Sequence, residues 1–311
     1  LRVLVTGASG FVGGHLVRAL TASYPAAELV LCGHHAPYRR LELTDHDAVD
    51  RLVAEVRPDA CIHLAAISAI PVARGNPELA WRVNLGGTLA LARAILAHAP
   101  ACRLVFASSA DCYGASFRLG VALDERQPLA PLNTYAATKA AADLALGALA
   151  AEGLRCVRLR CFNHTGPGQS ADFVVPAFAR QVARIAAGLQ EPVLRVGALS
   201  PWRDFLDVRD VCAAYIACLA PDRAVAPGAI LNIASGTPVR IGDVLAALVA
   251  KSGITAEIVT SATLLRPADI ALAAGCAEAA RLALDWRPTI SWEQTLADVL
   301  ADWQSRVLSE A

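Results

Sequence analysis

Three observations predict a doubly wound α/β fold, a parallel sheet with helices on both faces. The β-rich run Leu1–Thr6 passes at once into the turn Gly7-Ala-Ser-Gly10-Phe-Val-Gly13 and then into an apolar-periodic helix, His15–Thr21. β-rich and helix-periodic segments alternate from there to about residue 160. Hydrophobic residues make up 55% of the 311 and charged residues 18%, enough apolar surface for one large or two smaller domains to bury against themselves.

Strand, glycine turn and helix are the setting that a dinucleotide fingerprint requires, which makes the first unit Rossmann-type. Gly7 allows the tight turn, Gly10 lets the backbone approach a pyrophosphate, and Gly13 allows close packing of helix on strand. The spacing is GxxGxxG rather than GxGxxG. A second strand, Glu28–Cys32, runs into Cys32-Gly33-His34-His35. It lacks the carboxylate that would hold the ribose hydroxyls of NAD, and Arg39-Arg40 lie just beyond. Those arginines are read as a 2′-phosphate site, against the plainer reading of a solvated basic loop. Helix Ala48–Val56, strand Ala60–Leu64, helix Pro77–His98 and strand Arg103–Ala107 continue the alternation. Ligands of such a sheet bind at the carboxyl ends of its strands, where His63-Leu-Ala-Ala66 and Ser108-Ser109 fall. Ser109 is a candidate hydrogen-bonding partner for a substrate oxygen; a turn serine that caps the next segment is the alternative.

Pro128 and Pro131 break the chain before a helix that carries Tyr135 and runs to about Ala151, apolar on nearly every face. One face must cover the sheet, and the other is expected to meet a second subunit. Tyr135 and Lys139, four apart, share one face. Free tyrosine ionises near pH ~10. A lysine ammonium beside it is expected to bring that pKa toward the working range of an acid–base catalyst.

Strand Arg155–Arg160 ends at Cys161-Phe-Asn-His-Thr-Gly-Pro-Gly-Gln-Ser170, a Gly/Pro/Asn run that marks a boundary. Helices Val175–Gly188 and Val208–Leu219 and strand Ala229–Ala234 follow. The remainder is helix-rich, Ile241–Lys251, Ala277–Leu282 and Trp292–Val307, with a short strand at Glu257–Thr260. Residues 1–161 with about 206–233 are expected to form an NADP-binding domain, and 162–205 with 234–311 a smaller, mostly helical substrate domain.

Lys+Arg and Asp+Glu both number 28, which offers no electrostatic reason for a nucleic acid or an anionic membrane as partner. No apolar stretch reaches spanning length, and the strand at Leu1 leaves no room for a signal peptide. The nine cysteines are odd in number, without CxxC spacing, and Cys61, Cys102, Cys212 and Cys218 fall in apolar runs. They read as small buried hydrophobes of a cytoplasmic protein, with no zinc site.

TGxxGFVG, HLAA, Asn84, SSxxxYG and YxxxK, in this order and spacing, resemble the extended short-chain dehydrogenase/reductases that act on nucleotide sugars. The resemblance covers essentially the whole chain. FNHTGPGQS, VGALSPWRDFLDVRDV, ASG and LRPAD are similar to the GDP-sugar branch of that family, its C4-ketone reductases and its 4,6-dehydratases. The resemblance implies that Tyr135 is the acid–base, that Lys139 tunes it and binds the nicotinamide ribose, and that Ser109 orients the substrate carbonyl. Together with Arg39 from just beyond the second strand, it implies a cofactor site of Gly7, Gly10, Phe11, Val12, Gly13, Glu42, Leu43, Leu64, Ala65, Ala66, Tyr135 and Lys139, with Glu42 where Asp is usual. Asp111, Asn163, Arg180, Arg203, Arg266 and Asp269 match positions that hold the GDP-sugar. A guanidinium suits diphosphate oxygens in any family; an ion pair of Arg203 with Asp204 or Asp207 is the alternative. A homodimer through a four-helix bundle is implied too. Ala198 departs from the Asn usual in the dehydratases. Ala110 stands where dTDP-glucose dehydratases are acidic, and Asp111 where the GDP-mannose dehydratase has Glu.

The leading expectation is therefore reduction of the C4 ketone of a GDP-4-keto-6-deoxyhexose, with NADP(H) preferred over NAD(H). The alternatives are a dehydratase or 4-epimerase, in which the cofactor is oxidised and re-reduced within one turnover, and a non-catalytic NADP-binding regulator. That last class typically lacks the Tyr or the Lys.

Overall fold

The structure, a computed structural model, describes residues 1–220, 225–264 and 270–309. Its strands are β1 (Arg2–Thr6), β2 (Glu28–Gly33), β3 (Arg39–Arg40), β4 (Ala60–His63), β5 (Arg103–Ser109), β6 (Cys156–Cys161), β7 (Asn163–Thr165), β8 (Val193–Val196), β9 (Trp202–Asp207), β10 (Ala229–Ile233), β11 (Pro238–Arg240), β12 (Glu257–Thr260) and β13 (Leu272–Ala273). Its α-helices are α1 (Phe11–Ser23), α2 (His46–Val56), α3 (Ile70–Gly75), α4 (Pro77–Trp81), α5 (Thr88–His98), α6 (Thr134–Ala151), α7 (Val174–Ala186), α8 (Val208–Ala217), α9 (Ile241–Ser252), α10 (Glu278–Leu284) and α11 (Trp292–Leu308).

Seven strands form one all-parallel sheet in the order β10-β6-β5-β4-β1-β2-β3. Alternate residues of a strand face opposite sides, so a sheet covered twice needs apolar side chains at both. Val3, Val5, Ile62, Val105 and Leu159 join Leu16, Leu20, Val208 and Val211 on one side. Leu4, Cys61, Leu104 and Phe106 join Leu52, Leu91, Ile95 and Leu146 on the other. The strand order reverses between β1 and β4, and the crevice at such a switch point is where this architecture binds ligands.

A smaller unit leans on the carboxyl edge. Strand β9 is flanked by antiparallel β11 and parallel β13 and also pairs with β7, while β8 pairs with β12. Helices α7, α9 and α11 close around Phe178, Val182, Leu245, Leu300 and Trp303. Among the described residues no helix is long and apolar enough to cross a membrane, and no cluster suits a metal ion. Eight of the nine cysteines are buried and all are free; Cys276 is exposed.

The structure corrects several boundaries. The helix expected over Pro77–His98 is α4, a π-helical turn Arg82–Gly87, and α5. Gly87 passes so close to Leu43 that a Cβ would lie 2.6 Å from the Leu43 Cβ. The polar stretch at Arg39-Arg40 is an edge strand on β2. The segment after β5 is a 3₁₀-type run, Ala110–Leu119, kinked at Gly114 with φ 46°. Trp202–Asp207, which has no strand alternation once its charges are counted, is the central strand of the smaller unit.

Candidate active site

The glycine turn closes on backbone. Gly7 has φ 75°, and a Cβ there would stand 2.7 Å from the Ala65 nitrogen. At Gly13 a Cβ would collide with the Gly7 carbonyl and with Ala8. Gly10 then starts α1 with no side-chain cap and no acidic residue in the first turn, leaving Phe11, Val12 and Gly13 to present N–H groups to an anion. Leu64, Ala65 and Ala66 follow β4 across from this turn; Leu64 N donates to Thr6 O at 3.2 Å and Ala65 N to Thr6 Oγ1 at 3.3 Å. Leu43 is buried, and the Glu42 carboxylate accepts from Thr44 N and Thr44 Oγ1.

Arg39 does not stand free. Its guanidinium grips Glu55 on α2 by two hydrogen bonds, 2.9 and 2.7 Å. The 2′-phosphate reading of Arg39 therefore has to compete with an ion pair that the sequence did not announce.

Tyr135, Lys139 and Ser109 come together. Asn133 caps α6 through Ala136 N, which aims the first turn at the end of β5. Lys139, 4% exposed, donates from Nζ to Ala107 O at 2.7 Å and lies 4.7 Å from the centre of the Phe106 ring. Burial pulls its pKa down to about 8. Ser109 Oγ accepts from Asp111 N at 3.1 Å. Burial, and then the Asp111 carboxylate, push the Tyr135 phenol above its ordinary value, while its hydrogen bonding with Ser109 works the other way. This differs from the expectation that Lys139 lowers the tyrosine. In this geometry the lysine is turned to the Ala107 carbonyl, and Tyr135 is held as the neutral phenol.

Arg203 completes the cluster from β9. Its Nη1 donates to the carbonyls of Trp202 and Ile270, at 2.7 and 3.2 Å, and burial lowers its pKa while Asp111 raises it. The ion pair with Asp204 or Asp207 is not formed. Asp204, fully buried, accepts from Ser235 N, Ser235 Oγ, Gly236 N and Gly275 N. Asp207 accepts from Arg209 and Thr295, and Asp210 from Thr289 and Ile290. Asn163 is exposed on β7, in register with Phe205 two residues from Arg203. Arg180 stands apart, on α7 with its guanidinium 6.0 Å from the Trp303 ring. Arg266 and Asp269 lie outside the described residues.

A neutral relay joins the glycine turn to α6. Thr88 Oγ1 donates to Asn84 O, so it must accept from His63 Nε2; His63 Nδ1 then accepts from Thr6. Asn84 Nδ2 donates to Thr138 Oγ1, and Thr138 Oγ1 to Tyr135 O. Burial drops the His63 pKa to about 3, so the ring stays neutral. The HLAA and Asn84 motifs had marked these positions without showing that they touch.

The chain matches the family described as GDP-mannose 4,6 dehydratase over residues 4–299. It is 37% identical to the GDP-6-deoxy-D-mannose reductase of Pseudomonas aeruginosa, over 99% of both chains. It is 35% identical to a dTDP-glucose 4,6-dehydratase of Streptomyces niveus, over 76% of this chain and 73% of that one. Among solved structures it resembles RMD from Pseudomonas aeruginosa complexed with NADPH, with TM-score 0.87, 37% identity, and coverage of 98% of this chain and 99% of the other. It also resembles the UDP-glucose 4-epimerase of Thermus thermophilus in complex with NAD, with TM-score 0.83, 28% identity, and coverage of 98% and 99%.

Proposed function

We propose, from the premise that this chain belongs to the extended short-chain dehydrogenase/reductases of the GDP-mannose 4,6-dehydratase family, NAD(P)-dependent enzymes that modify nucleotide sugars, that it reduces the C4 ketone of GDP-4-dehydro-6-deoxy-D-mannose to give GDP-D-rhamnose. The observation that carries the reading is that Tyr135, Ser109 and Lys139 come together at the end of β5, in a chain similar over its full length to a reductase of this kind. A ketone reductase needs a proton donor at O4, and the Tyr135 phenol hydrogen-bonded with Ser109 is placed to be one. The relative solved with NADPH supports NADP(H) as the preferred cofactor.

Residues 1–161 with about 206–233 hold the cofactor, and 162–205 with 234–311 hold the sugar nucleotide. Gly7 and Gly13 let the turn close on the backbone of Ala65 and Ala8, which brings the start of α1 to where a dinucleotide pyrophosphate would lie. The bound nicotinamide supplies a hydride to C4. As charge develops on O4, Tyr135 gives up its proton and Ser109 hydrogen-bonds the same oxygen. Solvent returns the proton to Tyr135. Arg203 and Asn163 grip the diphosphate, so binding energy remote from C4 positions the sugar. Two copies pair through α4–α5 and α6, where Trp81 is 40% and Leu144 60% exposed on helices that a monomer would leave in water.

Asp111 favours a second reading. A 4,6-dehydratase removes a proton at C5 and expels water from C6, and a carboxylate beside Tyr135 is a base for that step. Stoichiometry separates the two. The reductase consumes one NADPH per 4-keto sugar; conversion of GDP-mannose to the 4-keto sugar without net cofactor consumption would show the dehydratase instead.

A further inference from the structure

Behind Tyr135 and Lys139 the same stripe of α6 carries a third polar residue, Asp143, at the next four-residue step. It is fully buried. Two arginines from β6 converge on it: Arg158 Nη1 reaches Oδ1 at 3.1 Å, and Arg160 reaches Oδ2 through Nε at 3.2 Å and Oδ1 through Nη2 at 3.0 Å. Ser108 Oγ, one residue before Ser109, donates to Oδ2 at 2.7 Å. Central strands of a doubly covered parallel sheet are ordinarily apolar throughout. Two arginines two apart in such a strand, and the single carboxylate of α6, therefore answer one another.

The helix is thus fastened to the end of β5 in three successive places. Asp143 holds the Ser108 hydroxyl, Lys139 holds the Ala107 carbonyl, and Tyr135 faces Ser109. Arg160 extends the fastening to the segment after β5, since its Nη1 also donates to the Tyr113 hydroxyl at 3.1 Å.

We propose that Asp143 is a positioning residue for this centre: through Ser108 it sets where Ser109 stands relative to Tyr135, and its charge faces the Lys139 ammonium. The titratable groups around Lys139 are Cys112, Cys161, His63 and Asp143. Burial lifts the two thiols to about 12 and about 11 and drops His63 to about 3, so all three are neutral near pH 7. The fourth, Asp143, is ion-paired with Arg158 and Arg160 and is the charged partner on the Lys139 stripe.

The kinetic arm of the test rests on the reductase reading; the titration arm does not. The chain has two lysines, Lys139 and Lys251, so lysine labelled with ¹³C gives two resolvable side-chain signals. In Asp143→Asn the Lys139 signal is expected to titrate at lower pH than in the wild type, with Lys251 unmoved. With the 4-keto sugar and NADPH, Asp143→Asn is expected to lower kcat by about 10²-fold, the order set by an ångström of misplacement, and to leave KM within about twofold. Ser108→Ala cuts the link without touching the charges, and is expected to lower kcat about tenfold with the Lys139 titration unchanged. Wild-type kcat in either folded variant, or an unmoved Lys139 titration in Asp143→Asn, overturns the inference. If Asp143→Asn does not fold, kcat of Ser108→Ala decides. A wild-type protein inactive on every 4-keto sugar sinks the reductase reading instead, and the titration still decides this one.

Discussion

Replacing Lys139 by Met should make the free protein more stable and the enzyme inactive. Burial brings the amine from an ordinary 10.5 down to about 8, a difference of about 3 kcal/mol between holding the ammonium inside and in water. The variant loses the ammonium's bond to Ala107 O and the contact with the Phe106 ring, which together are worth about 2 kcal/mol. The net gain is about 1 kcal/mol, and for a chain of this length that raises Tm by about 2 °C. The sign carries a pH signature. A depressed lysine costs the folded state its full amount below pH 8, where both states bind the proton. The cost fades between pH 8 and 10.5, as the folded state deprotonates first and the unfolded state follows. Thermal unfolding of both proteins without cofactor, at one protein concentration, should therefore show a gap near pH 7 that closes toward pH 10.5. A variant that melts below the wild type at pH 7, or a gap that persists unchanged at pH 10.5, refutes the reasoning.

Tyr135→Phe should lose turnover by at least about 10²-fold, the scale of a general acid, while NADPH binding followed by nicotinamide fluorescence stays near wild type. The wild type should prefer NADPH over NADH in kcat/KM, and the Arg39→Ala/Arg40→Ala pair should erode that preference; an unchanged ratio would assign the basic pair to Glu55 and solvent. Light scattering at micromolar concentration should give a dimer, and Leu144→Glu with Trp81→Asp should shift it to the monomer.

The alternation of strands and helices was legible because the inner strands β1, β4, β5 and β6 are buried on both faces while the helices that cover them are buried on one, so hydrophobic period separates them. What escaped was structure whose cause is not periodic. The π-helical turn at Arg82–Gly87 follows from Gly87 meeting Leu43 and from Asn84 bonding Ile67 and Thr138, contacts between segments distant in the chain. Strand β9 carries Arg203, Asp204 and Asp207 and has no apolar alternation to find. The Tyr135–Lys139 pair was legible from its spacing, yet its electrostatics were not. Whether the ammonium turns to the phenol or to the Ala107 carbonyl depends on where β5 ends, which the spacing does not encode. Asp143 did leave a signal, as a single carboxylate in TYAATKAAADLALGALAA, because a charge on the buried stripe of so apolar a helix must have a partner.

The motif RDFLDVRD illustrates how a family signature and a ligand site come apart. Its three carboxylates are each taken up by donors of the protein itself. Asp204 ties β9 to the turn before β11 and to Gly275 after β13, Asp207 ties α8 to α11 through Arg209 and Thr295, and Asp210 fastens the segment before α11. Each accepts backbone or hydroxyl donors that would otherwise be buried without a partner, at a cost of about 1–3 kcal/mol apiece. The spacing of the three is therefore demanded by the joint between the large sheet and the smaller unit, whatever the sugar. Arg203 is the residue of the motif that faces the cluster of Asp111 and Tyr135. A motif can thus be specific because of its folding constraints while one side chain within it carries the recognition. Asp204→Asn should for that reason lower stability first, and its effect on turnover should follow the loss of folded protein measured in the same preparation.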